Sequence, residues 1–482
     1  MIPLTLGSIA EITGGRLSSE ADAHATVTGF VEFDSRKIGP GGLFVALPGE
    51  RVDGHDFAQA AIDKGAVGVL AAREVGVPAV IVPNGVSVVD AMSALAREVA
   101  HILVNDHGLT IVGVTGSAGK TSTKDLMNAV LSTDGITVAP PGSFNNEIGH
   151  PYTVLRCTPE TKYLVAEMSA RGIGHIAHLA TIAPPRIGVE LNVGSAHLGE
   201  FGSQENIAKA KGELVEALPS AANGGVAVLN ADDPFVAGMA PRTDAKVVYY
   251  SAANPPAPGA QYYATDIQLD DVARASYVLH APGADPQKVS LQVFGSHQVL
   301  NSLAAAAAAI ESGIPAEQAA RALSEHRAAS AYRMDVQTRA DGLTVINDSY
   351  NANPDSMRAG IAALAFTTSS RPDACAYAVL GEMGELGDNG LSAHRQLGVE
   401  LAKYNVCNLI VVGEGPLCEA LAKEAWAKGV AVDTAATTDD AAAIVEDLQS
   451  KAPVKDNVVL VKASNAAGLW RVAEKLLDTQ PR

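Results

Sequence analysis

Apolar residues recur along this chain in two alternating rhythms. Short unbroken runs such as GGLFVAL, VPAVIV, LTIVGV, YLVAEM, IGVELNV, VAVLN, AYAVLG, NLIVVG and NVVLVK are separated by stretches with apolar residues at helical spacing. Unbroken runs indicate strands buried on both faces, and helices between them indicate parallel sheets, so the pattern predicts an α/β protein. Residues 1 to 107 mix such runs with Gly and Pro turns and end in an amphipathic pattern through Met92, Leu95, Val99 and Ile102, which predicts a small N-terminal α/β domain. The polar NDHG at Asn105 to Gly108 marks its boundary. From 108 to 326 the strands and helices predict a central parallel-sheet domain, with the Pro-rich NPPAPGAQ (Asn254 to Gln261) as an excursion and HQVLNSLAAAAAAIESGI as a helix near its end. From 327 to 482 a fresh strand series beginning with GLTVIND predicts a Rossmann-like third domain. Its GEG at Gly413 to Gly415 lacks the third glycine of a dinucleotide fingerprint.

In a parallel sheet the carboxyl ends of the strands share one edge, where ligands bind. Gly116 to Thr121, Glu167 and His197, which follow LTIVGV, YLVAEM and IGVELNV, are therefore expected to converge.

Composition narrows the function classes. Of 482 residues, 47% are hydrophobic and 18% charged, enough apolar material for several cores. Lys and Arg number 35 against 53 Asp and Glu, a net charge of −18 that disfavours nucleic acid and anionic membrane surfaces. Small anions remain possible at a local cluster of basic residues and helix N-termini. Glu11 interrupts the amino terminus before any long apolar core, and no stretch approaches a membrane span, so a cytoplasmic protein without membrane insertion is expected. Cys157, Cys375, Cys407 and Cys418 form no CxxC pair and read as reduced structural residues.

The segment TGSAGKTS comprises Thr115, Gly116, Ser117, Ala118, Gly119, Lys120, Thr121 and Ser122, between a strand and a helix. This is the context of a phosphate loop, in which glycines let amides face the phosphates, Lys120 supplies charge and the Thr121 hydroxyl can ligate magnesium. Val114 stands where the longer Walker pattern has glycine. Glu167, at a strand end, suits magnesium or a structural ion pair. His197 taken alone reads as a hydrogen-bonded structural residue. In QENIAKAKGELVEAL (204 to 218), Ile207, Leu214 and Leu218 have helical spacing, and Lys209 and Lys211 read by default as solvated helix lysines. In NDSYNANPDSM, Asn353 fits a helix N-cap and Pro354 the first helical position, while Asp348, Tyr350 and Asn351 remain a polar cluster at a strand end.

TGSAGKTS, GSFNNEIGHP, EMSARGIGHI, LNVGSAHLGEFGS, AKAKGE and NDSYNANP occur in an order that resembles the Mur ligases. SFNNEIG with DSYNANP is most similar to the members that add D-alanyl-D-alanine to UDP-N-acetylmuramoyl-tripeptide in peptidoglycan synthesis. The amino-terminal FDSRKIGPGGLFVALPGE resembles their UDP-binding domain. The resemblance implies roles that spacing could not. Asp34, Ser35 and Arg36, with Asn145 and Asn146, would hold the UDP substrate, and Tyr350, Asn351 and Asn353 the peptide. Asn301, Arg333 and Asp348 would contact ATP, Arg333 at the phosphates and Asp348 at the ribose. Lys211 would be a carbamate ligating Mg2+ together with Thr121, Glu167 and His197. Lys120, Lys211, His197, Glu167 and Arg333 would be catalytic. In KASNAAG, Ala463 and Asn465 replace the family's glycine and arginine, and no role is transferred to that loop.

The expected reaction activates the substrate's terminal carboxylate as an acyl phosphate, which the dipeptide amine then displaces. Such phosphoryl transfer needs positioning and charge neutralisation more than a protein nucleophile. A monomer is expected. The competing readings are another Mur ligase, a folylpolyglutamate synthase-like ligase, or a phosphate-loop protein that does not ligate.

Overall fold

The computed structural model describes residues 1–49, 52–194, 198–328 and 330–477, with only the backbone of Leu198. His197 lies outside the described residues. Among those described, the strands form four sheets in chain order.

The N-terminal sheet runs 16–17, 79–81, 68–71, 43–45, 31–32, with a two-stranded pair, 4–5 against 26–27, beside it. The helix Val88–His107 covers it. This helix begins with a capping box between Ser87 and Asp90 and ends at Gly108, whose φ of 72° suits glycine. Met92, Leu95 and Val99 are fully buried on its core face. The NDHG stretch expected to mark the boundary supplies this helix's last turn and its Gly108 cap, polar because Asn105 to His107 are exposed.

The central sheet has nine strands in the order 287–294, 274–280, 262–269, 246–251, 226–230, 187–190, 110–115, 163–167, 137–138. Its seven strands from 137–138 to 262–269 pair in parallel, as the unbroken apolar runs predict. The strands Tyr262–Leu269, Arg274–His280 and Gln287–Phe294 add an antiparallel edge that a wholly parallel reading misses. Arg274–His280 alternates half-buried and buried positions because one face of this edge stays wet. Register places Glu167 beside Val114 and Glu190 beside Thr115, so two carboxylates flank the end of the phosphate-loop strand Thr110–Thr115. The helix Gln298–Glu311 lies against the phosphate-loop helix Lys120–Leu131. Ala304 to Ala309 are all fully buried, which explains the alanine run as close packing.

The C-terminal sheet runs 335–338, 344–347, 458–462, 376–380, 408–412, 431–435, parallel except for its first strand. Its carboxyl edge turns toward the central sheet's. Gly199 packs so closely on Gly387 that a Cβ there would come within 2.6 Å of the Gly387 nitrogen. Arg171 and Glu385 form an ion pair at 3.1 Å across the same gap.

Candidate active site

Where these edges meet lies a cavity of about 1370 Å3, lined by residues of all three sheets' loops. That exceeds the 300–1,000 Å3 of a typical small-ligand site and suits two substrates together.

The phosphate loop forms its floor. Gly119 has φ 85° and sits against Asn301, where a Cβ would meet Oδ1 at 2.6 Å. Glycine is therefore required there twice over, by conformation and by space. The Lys120 ammonium folds back on the Gly116 carbonyl at 2.7 Å, and burial pushes its pKa down. Thr115 is fully buried in its strand and, unlike Ser117 to Ser122, does not line the cavity.

Thr121 is the meeting point. Its hydroxyl lies 3.2 Å from Glu167 Oε2 and 3.2 Å from the Ser143 hydroxyl, and it accepts from the Arg333 guanidinium at 3.1 Å. Arg333 also donates to Ser143 at 3.2 Å and stacks over the Tyr350 ring at 4.3 Å. Asn145 Nδ2 donates to Glu167 Oε1 at 2.7 Å, which fixes that carboxylate. A loop hydroxyl, a buried carboxylate and a guanidinium from three distant segments thus occupy one spot.

The expected ribose contact, Asp348, is braced by Lys462, whose fully buried ammonium reaches Asp348 Oδ2 at 2.6 Å and the Asn351 carbonyl at 2.9 Å. Burial lowers the Lys462 pKa, and the Asp348 carboxylate opposes that shift. Tyr350, Asn351 and Asn353 line the cavity. The Asn353 side chain is engaged as an N-cap, accepting from Ser356 N at 2.8 Å. Asn145 and Asn146 also line it, and Asn146 Oδ1 accepts from Gly149 N at 2.9 Å.

Two expectations change. Lys211 is not solvated: it is 5% exposed, while Lys209 on the same helix is exposed. Burial lowers the Lys211 pKa first and the Lys120 charge lowers it further, whereas Glu190 opposes both. Glu190 is itself fully buried, with no hydrogen-bond partner for either oxygen among the described residues, and burial drives its pKa up. In the amino-terminal motif, Phe33 enters the cavity, but Asp34, Ser35 and Arg36 do not line it. Arg36 is 85% exposed and paired to Asp34, whose carboxyl it holds down at about 2. Phe33 instead packs against Tyr152, ring centroids 5.0 Å apart and planes tilted by 60°, with Phe144 at 6.2 Å.

Sequence reasoning missed Ser143, Asn192, Glu190 and Lys462. Asn192 exchanges hydrogen bonds with the Ala118 backbone, N to Oδ1 at 2.9 Å and Nδ2 to O at 3.1 Å, and so pins the phosphate loop. The available signal was position, since Asn192, Glu190 and Lys462 all stand at or just beyond strand carboxyl ends.

The sequence matches the Mur ligase family catalytic domain over residues 28–108, the Mur ligase middle domain over 114–309 and the Mur ligase glutamate ligase domain over 332–465. The UDP-N-acetylmuramoyl-tripeptide--D-alanyl-D-alanine ligase of Mycobacterium tuberculosis (strain CDC 1551 / Oshkosh) is 51% identical, covering 99% of this chain and 98% of the relative. The chain belongs to the Mur ligase family. A crystal structure of MurF from Acinetobacter baumannii superposes with TM-score 0.85 at 27% identity over 99% of both chains. MurF from Thermotoga maritima in complex with ADP gives 0.77 at 30% identity, covering 94% of this chain and 98% of that one. This Mur ligase is an ATP-dependent ligase with the three-domain architecture of those neighbours.

Among the described residues no group of three or more His, Cys, Asp or Glu forms a metal cluster. The Thr121 and Glu167 oxygens nevertheless suit Mg2+, which is held by few carboxylates and completes its shell with water and phosphate. No helix among them is long and apolar enough to cross a membrane.

Proposed function

We propose that this Mur ligase joins the amine of D-alanyl-D-alanine to the terminal carboxylate of UDP-N-acetylmuramoyl-tripeptide, with ATP supplying the activating phosphoryl group. The observation that carries the reading is Thr121 within hydrogen-bond distance of Arg333 and Glu167 in a cavity large enough for both substrates. The Mycobacterium tuberculosis relative named above carries the joining of those two partners in its name.

In the proposed sequence a carboxylate oxygen attacks the γ-phosphorus and ADP leaves. The dipeptide amine then attacks the acyl carbon, an amide forms, and phosphate and a proton depart. Lys120 and Arg333 neutralise the transferring phosphoryl group, Asn301 backs the loop, and Asp348 meets the ribose. Mg2+ would be held by Thr121, Glu167, His197 and Lys211, and would neutralise developing charge on the phosphoryl oxygens. Lys211 takes part as a carbamate, formed when its neutral amine adds to carbon dioxide and releases a proton. Its burial supports this, because it favours the neutral amine that such an addition requires.

Asp34, Ser35 and Arg36 with Asn145 and Asn146 serve the UDP substrate, and Tyr350, Asn351 and Asn353 the peptide. The chain divides at 107/108 and 326/327, cuts supported by the end of one helix at His107 and of another at Glu325. It acts as a cytoplasmic monomer.

The test is phosphate release and product formation with the UDP-muramoyl tripeptide over a panel of dipeptides and single amino acids. Turnover dependent on D-alanyl-D-alanine is expected. Release indifferent to the acceptor, or a requirement for a single amino acid, would overturn the assignment.

A further inference from the structure

Lys211 is the last residue of the helix Gln204–Lys211, and eight residues make a helix with little stability of its own. The Gly212 N–H caps the Ala208 carbonyl at 3.0 Å, and the Lys209 carbonyl takes a donor from a side chain. Beyond it a second short helix, Glu213–Glu216, starts on the far side of Gly212, so the stretch expected to be one helix is broken at the residue after the lysine. A side chain from outside the helix adds to that cap.

Arg242, at the end of the 3-10 turn Ala240–Arg242, does so. Its guanidinium donates to the Ala208 carbonyl at 3.0 Å and the Lys209 carbonyl at 2.8 Å, and pairs with Glu216 at 2.8 Å. One planar cation thus ties the end of the Lys211 helix, where the helix dipole also favours it, to Glu216 at the end of the next. Gly212 makes room for it. A Cβ there would overlap the guanidinium, and because φ is −62° the glycine is needed for space and not for conformation. On the other side, Glu213 accepts from Gly174 N at 2.5 Å and Ala177 N at 2.9 Å, tying the same turn to the end of the loop that leaves Glu167.

We propose that Arg242 is a positioning residue for Lys211, holding the last helical turn through the Ala208 and Lys209 carbonyls, and that Gly212 is glycine to admit it. The proposal deepens the reading of Lys211 as a ligand, but the brace acts on the lysine whether or not it is carbamoylated. Neither Arg242 nor Gly212 lines the cavity.

The test is a double-mutant cycle in the full-length enzyme. Arg242→Ala loses the brace, and Gly212→Ala expels the guanidinium, so each is expected to lower kcat about 100-fold, the scale of a misplacement near 1 Å. KM for the dipeptide should stay within about twofold of wild type, because dipeptide binding does not use the lysine. Once Arg242 is alanine the added methyl has nothing to meet, so Gly212→Ala in that background should cost nothing more. Arg242→Lys, which restores one donor, should recover part of kcat. Thermal melts separate these losses from unfolding. Losses that multiply in the double variant, or Arg242→Ala turnover within about threefold of wild type, would overturn the brace.

The carbamate is read separately, by the 13C resonance of protein equilibrated with 13C-bicarbonate. A wild-type signal that weakens in Arg242→Ala and Gly212→Ala supports both readings. A non-additive kcat cycle without any wild-type signal supports the brace and removes the carbamate. A wild-type signal with a flat cycle does the reverse.

Discussion

His150 offers a stability test whose sign follows from its burial. It lies in the helix Gly149–Val154, directly after the Asn145 and Asn146 loop, and is 1% exposed, with Nε2 unpartnered among the described residues. Its pKa falls from 6.5 to about 4, chiefly through burial, with the Leu179 carbonyl opposing the shift and nearby His178 adding to it. A histidine whose folded pKa is depressed binds its proton more readily when unfolded, so stability is complete above the unfolded pKa and falls with pH between about 6.5 and about 4. Linkage gives a loss of roughly 1 kcal/mol at pH 5.5 and roughly 2 to 3 kcal/mol at pH 4.5, relative to pH 7.5. Glu190 acts in the opposite sense over part of this window, since its buried carboxyl is held protonated well above the usual range and its penalty shrinks as pH falls. Total stability therefore does not isolate the histidine, but a difference does. His150→Asn removes the titration, and urea unfolding of both proteins at pH 7.5, 5.5 and 4.5 should show the wild type losing stability relative to the variant by those amounts. Two curves that run parallel across the three pH values would refute the burial argument.

Lys120→Ala should lower turnover by about 10²–10³-fold, the usual effect of removing one preorganised electrostatic partner, with the melting temperature little changed; turnover near wild type would remove Lys120 from the ATP site. Arg36→Ala should weaken uridine diphosphate binding about tenfold by calorimetry, and unchanged affinity would leave Arg36 as the exposed partner of Asp34 that the structure shows. Lys211→Ala should abolish turnover while folding normally, with partial recovery in formate or acetate, small acids that replace the missing anionic oxygens. Full activity of that variant without additives would return the lysine to a structural role.

How much of this was legible depends on which kind of information each feature needs. The convergence of Gly116 to Thr121 with Glu167 followed from strand order alone, because a parallel sheet brings carboxyl ends to one edge whatever lies between them. The N-cap at Asn353 was equally legible, since capping is decided within four residues. Lys211 and Lys209 are chemically identical and differ only in which side of one helix meets the protein, and that side is set by Arg242, Glu213 and the sheet beneath, none of them adjacent in sequence to Gln204. Periodicity could have sorted them, because Ile207, Ala210, Lys211 and Leu214 share a buried face, but a lysine's charge makes exposure the default. The same default hid Lys462, whose burial is tolerable only because Asp348 and the Asn351 carbonyl meet it. The FDSRK motif differs again, because its residues are plain in the sequence but which of them faces the cavity is not. A turn can aim either its aromatic or its charged residues inward, and here Phe33 goes in among Tyr152 and Phe144 while Arg36 closes back on Asp34. Local chemistry satisfied both arrangements, so the choice belonged to the packing of the N-terminal sheet on the central one, where Tyr152 and Arg156 both bind Glu32 at the end of its strand. The Asp34 pair uses Arg36 Nε and Nη2 and leaves Nη1 outside it, so a uridine nucleotide can meet Arg36 with the pair intact, and the calorimetric experiment is best run on Asp34→Asn as well: binding should weaken if Asp34 holds the guanidinium toward the ligand, and stay unchanged if the motif does not meet it.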